Sequence, residues 1–77
     1  MHNLERYTLT DIVGLADERN PHRQITYSEC AEILKERITE LHPKVDTDLL
    51  YRVIRDFATD ERDYCHKLVR AERLMRC

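Results

Sequence analysis

The sequence predicts an all-α fold, a small bundle of three or four short helices with a C-terminal helix that is either separate or long and bent. Three observations lead there. One Gly and two Pro among 77 residues leave few of the residues on which tight hairpin turns depend. Apolar residues make up 42% and charged residues 36%, the balance of a chain that folds rather than stays disordered. Apolar positions also recur every three or four residues behind recognisable helix start signals. At this length residues 1–77 make a single helical domain. Such a chain buries only ~60–65% of its unfolded surface, which leaves little room for a deep cleft.

The first helix is expected over LTDIVGLADER, residues 9–19. Thr8 and Asp11 have capping-box spacing. Leu9, Ile12, Val13, Leu15 and Ala16 form its apolar face. Asn20-Pro21 should end it, because the residue before a proline avoids the α region.

"ITYSEC" carries the clearest start. Thr26 is the cap, Glu29 completes a capping box, and Ile25 and Cys30 are spaced for a hydrophobic staple. Tyr27, Cys30, Ala31, Leu34, Ile38 and Leu41 then mark one face of a second helix, stopped at His42-Pro43.

"VDTDLL" opens the third, with Asp46 as cap and Val45 and Leu50 in staple positions. Leu49, Leu50, Tyr51, Val53, Ile54, Phe57 and Ala58 cover more than half the circumference. A helix so broadly apolar is expected at the centre of the core, with Phe57 among its main buried side chains.

The stretch "DFATDERDYCHKL" decides whether that helix continues. Thr59 is a good cap type, and Asp60, Glu61 and Asp63 precede Lys67, Arg70, Arg73 and Arg76. This is the polarity a separate helix prefers. Asp56 and Asp60 would be like charges at i,i+4 in a continuous helix. A break or sharp bend near Thr59 is the expectation. The alternative is a single helix ~45 Å long, which a small monomer could hardly bury.

Little chemistry is written in the chain. Three cysteines, 35 and 12 positions apart, match neither a disulfide framework nor a zinc pattern, and a reducing compartment is the simpler reading. Cys65 and His66 are neighbours, so on a helix they point ~100° apart and do not chelate one ion together. Cys65 reads as a small buried apolar residue, and Cys77 as an exposed thiol that crosslinks on oxidation. No thiol has a base at helical spacing and no Gly-rich phosphate loop exists. Catalytic residues, cofactors and metal ligands are therefore expected to be absent. "MHNLERYTL" has no apolar h-region and no run approaches a membrane span, so a soluble, cytoplasmic protein is expected.

Net charge is −2, yet the last fourteen residues carry four basic side chains and one acidic. The leading functional reading is a non-enzymatic protein-interaction module: a regulator, accessory subunit or inhibitor of a protein partner. Tyr64, Leu68, Arg70, Arg73 and Arg76 are the candidate partner contacts, Tyr and Arg being enriched at interface hot spots. Tyr7 is expected to be exposed, and Tyr27 and Tyr51 to pack in the core or at its boundary. A homodimer is expected through the C-terminal helix, whose Tyr64, Leu68, Ala71 and Met75 share one face. The alternative is a helix-turn-helix-like transcriptional regulator built on residues 26–58. Thr47, Tyr51, Arg52 and Arg55 would then reach DNA from the second helix. Asp46 and Asp48 place negative charge where phosphates would lie, and the net charge lacks a basic footprint.

Overall fold

A computed structural model describes residues 4–76 as four helices: α1 (Leu9–Ala16), α2 (Tyr27–Leu41), α3 (Thr47–Phe57) and α4 (Glu61–Met75). The expectation for Cys77 lies outside the described residues. α2 and α4 form the spine. Their mutual interface is the most extensive in the molecule, and each also meets both other helices. α1 and α3 flank this pair without touching one another. The core holds Ile12, Leu34, Ile38, Leu68, Cys30 and Cys65, all fully buried.

Local chemistry explains the helix starts. Thr8 Oγ1 accepts from Asp11 N at 3.2 Å while Asp11 Oδ2 accepts from Thr8 N at 3.1 Å, a complete capping box. Thr26 Oγ1 accepts from Glu29 N and Asp46 Oδ1 from Leu49 N, each at 3.2 Å. α1 ends at Ala16, earlier than the proline would require. Asp17 turns outward instead: its Oδ1 accepts from Arg19 N at 3.0 Å, and Asn20 Nδ2 donates to Gly14 O at 3.0 Å. Short polar side chains here offer the backbone an alternative to helix.

The helix breaks at Thr59, where the charges predict it, with the cap of α4 one residue on. Ala58 is extended at φ −76°, ψ 137°, and Asp60 is the cap. Asp60 Oδ1 accepts from Asp63 N at 2.7 Å, and Asp63 Oδ2 accepts from Thr59 N at 3.0 Å.

The centre of the core is not α3. Of its residues only Ile54 is buried, while Leu49, Val53 and Phe57 are 54%, 45% and 74% exposed. The broad apolar arc is split: Leu50, Tyr51, Ile54 and Ala58 pack inward, and Leu49, Val53 and Phe57 face out. α2 holds the central place, burying Tyr27, Cys30, Ala31, Leu34 and Ile38. Its last apolar residue, Leu41, is exposed, as is the staple residue Val45.

Candidate functional site

Three features stand out once the helices are placed. The first is the outer face of α3. Leu49, Val53 and Phe57 recur at i,i+4,i+8 and so share one stripe, and Val45 continues the spacing upstream of the cap. Arg52 and Asp56 border the stripe on the side away from the core. Both are exposed, and neither forms an ion pair among the described residues. Large apolar side chains scattered singly over a surface need no explanation, but a stripe of them on one helix does.

The second is a cleft of about 460 Å³ between α1 and α4, with Val13 and Val69 on its walls and His66, Lys67, Arg70 and Arg73 around it. Gly14 borders it, with open space where a side chain would project. Asp17 and Asp63 also line the cleft, so its charge is mixed. Lys67 Nζ is 3.1 Å from Asp63 Oδ2. The Thr59 amide, followed by the Lys67 ammonium, holds the Asp63 carboxyl below the usual carboxylate range.

The third is internal. Cys65 Sγ donates to Tyr27 O at 3.4 Å, and Cys30 Sγ donates to Ile12 O at 3.8 Å. Cys30 sits one turn beyond Tyr27 on α2, so the two thiols meet inside the α2–α4 interface. Their contact, then burial, pushes the Cys30 thiol well up. Cys65 is buried as the sequence implied, while its neighbour His66 is exposed. Spacing along the chain gave no sign of the Cys30–Cys65 meeting.

The structure disperses the side chains expected to bind a partner. Tyr64 and Leu68 are in the core and have no surface to offer a partner. Burial also pushes the Tyr64 hydroxyl up. The face they share with Ala71 and Met75 packs on the monomer's own core, with Ala71 and Met75 partly buried. Arg70 remains at the surface beside the cleft. Arg73 donates to Thr10 Oγ1 at 2.7 Å. Arg76 donates through Nε and an NH2 group to Glu72 Oε2, at 2.9 and 2.7 Å.

Glu72 stands at i,i+4 to Arg76, the spacing of an ion pair on a helix surface. The pair exists, but the carboxylate is only 1% exposed. Its other oxygen lies 3.4 Å from His42 Nε2, so it ties the end of α4 to the cap of α2.

The helix-turn-helix candidates fare similarly. Tyr51 OH donates to Lys35 O at 2.6 Å and lies 2.8 Å from Thr39 Oγ1, which fixes Tyr51 against α2. Thr47 Oγ1 accepts from Thr39 Oγ1 at 3.3 Å. Arg55 pairs with Glu61 and stacks over the Tyr64 ring, 4.9 Å from its centroid. Of the four, Arg52 alone is exposed with no partner among the described residues. It stands beside an apolar stripe rather than within a basic surface.

Among the described residues no helix is long and apolar enough to cross a membrane. No protein-family model matches the chain, and no match to it is found among the curated proteins or the solved structures.

Proposed function

We propose that this chain is a non-enzymatic protein-interaction module that works by burying the outer face of α3 against a protein partner, in the role of a regulator, accessory subunit or inhibitor. The observation that supports this is the exposure of Leu49, Val53 and Phe57 in one stripe on a helix whose inner face is already packed. Covering apolar surface is the main favourable term in association. Phe57 is a large aromatic side chain of the kind that anchors interfaces. The partner surface originally expected on α4 moves to α3 in this reading.

The test is photo-crosslinking in the host cell. A benzophenone amino acid replaces Val53 in one strain and Glu36, on the exposed side of α2, in another. A discrete protein adduct at position 53, competed away by unmodified chain and missing at position 36, is the expected result. Equal adducts at the two positions, or none at either, would overturn the reading.

A further inference from the structure

We infer that the partner on α3 is a second copy of this chain, docked with its α3 antiparallel about a two-fold axis at Val53. The inference rests on the reading of α3 as a docking surface and names its occupant.

The argument starts from the spacing. About Val53, Leu49 and Phe57 are equidistant, one turn away on either side. A two-fold rotation therefore lays Leu49 on the partner's Phe57, Phe57 on the partner's Leu49, and Val53 on its own equivalent. Large meets medium at both ends and small meets small at the axis. An isologous contact requires this self-complementarity.

Charge selects the orientation. Arg52 and Asp56 flank the stripe on the same side, and antiparallel helices related by a two-fold axis bring like flanks together. At 1.5 Å per residue, Arg52 and the partner's Asp56 then lie about 3 Å apart along the axis, within reach of an ion pair. The pair forms twice. In a parallel two-fold arrangement like flanks fall on opposite sides of the contact, so Arg52 and Asp56 would face the partner's Leu50 and Ile54 side and find no opposite charge there. Arg52 and Asp56 stand at i,i+4 and form no ion pair with each other, so both charges are available to a partner. Arg55, by contrast, is committed to Glu61 within the chain.

Area sets the strength. The stripe with Val45 and its charged border offers on the order of several hundred Å² per copy, which doubles to the low end of specific interfaces. A micromolar dimer is expected rather than a permanent one.

Sedimentation equilibrium in reducing buffer, from micromolar to several hundred micromolar, measures it. The wild type should approach twice 9.3 kDa. Val53→Asp should sediment as one chain while keeping its helicity and melting temperature, because Val53 contributes little to the monomer core. Arg52→Asp and Asp56→Arg should each weaken the dimer about five- to tenfold, as two exposed ion pairs are lost. The double variant should return to within about twofold of the wild type, as its pairs re-form with sign reversed.

Register is read separately with Cys77→Ser as background. A short bismaleimide should join Leu49→Cys to Phe57→Cys in a mixture of the two variants.

A wild type that stays at 9.3 kDa throughout overturns the second copy as occupant. The docking role of α3 is then judged by whether position 53 crosslinks to a different protein. A dimer indifferent to Val53→Asp places the interface elsewhere. A Val53-dependent dimer without charge-swap recovery or the 49–57 crosslink overturns the antiparallel geometry.

Discussion

Phe57 and Leu34 show how far burial separates residues of the same apolar class. Leu34 is fully buried on the central helix, so Leu34→Ala should cost about 2–5 kcal/mol through lost transfer energy and the cavity left behind. Phe57→Ala, despite the larger deletion, should shift stability by less than about 0.5 kcal/mol, the range for surface sites. Urea titration of the two variants checks both figures. Asp63 adds a dependence on pH. Its carboxyl is held below the ordinary value of 3.8, so the folded state binds its proton less readily than the unfolded chain. The stabilisation is complete above that value and is lost as pH falls through the folded-state value. Stability of the wild type should therefore fall more steeply below about pH 4 than that of Asp63→Asn, as followed by urea midpoints across an acid series. Glu72 is a third case. Glu72→Ala removes a buried acceptor from both Arg76 and His42, and a loss of about 1–3 kcal/mol is expected. The same titration should show Arg76→Ala costing at least as much, since it leaves the buried Glu72 carboxylate without its two guanidinium donors, whereas after Glu72→Ala the exposed Arg76 is simply hydrated.

Helix starts were legible at the level of elements because they are local. Thr8, Thr26 and Asp46 each sit within three residues of the amide they cap, and that spacing is visible in print. The break before α4 was legible for the same reason, through the run of acids after Thr59. Asp60→Ala should cost about 1 kcal/mol and fray the first turn of α4, readable as lost helicity together with a lower urea midpoint. What was not legible is how α3 is turned. Periodicity says that an arc is apolar, and it does not say which part of a wide arc faces the neighbours. That is settled by α2 and α4, whose packing accepts Leu50 and Ile54 and leaves Leu49, Val53 and Phe57 outside. The same limit hid the thiol contact, which joins residues 35 positions apart, and hid the burial of Glu72, which is flanked by the arginines of a solvated-looking helix. Tyr64 and Leu68 lie on the apolar face expected to meet a partner, and that same apolar character draws them into the core.

For the whole molecule, the Cα radius of gyration of 12.0 Å is close to the ~11.5 Å expected of a compact chain this long. Compactness is reached without every helix contributing equally. α1 and α3 never meet, and α3 sends one buried side chain, Ile54, into the shared core. The free energy holding α3 in place is thus a small part of the total. Opening it leaves the contacts of α1 with α2 and α4 untouched. In native-state hydrogen exchange, amides of α3 should exchange through a partial opening well below the global unfolding free energy, while those at the centres of α2 and α4 exchange only when the whole chain unfolds. Amides of residues 50–57 should then gain protection as protein concentration rises, if the occupant of the outer face is a second copy. The helix that is loosest in the isolated chain becomes the one whose order reports on company. A bound outer surface would close that route while leaving the contacts of the spine as they are.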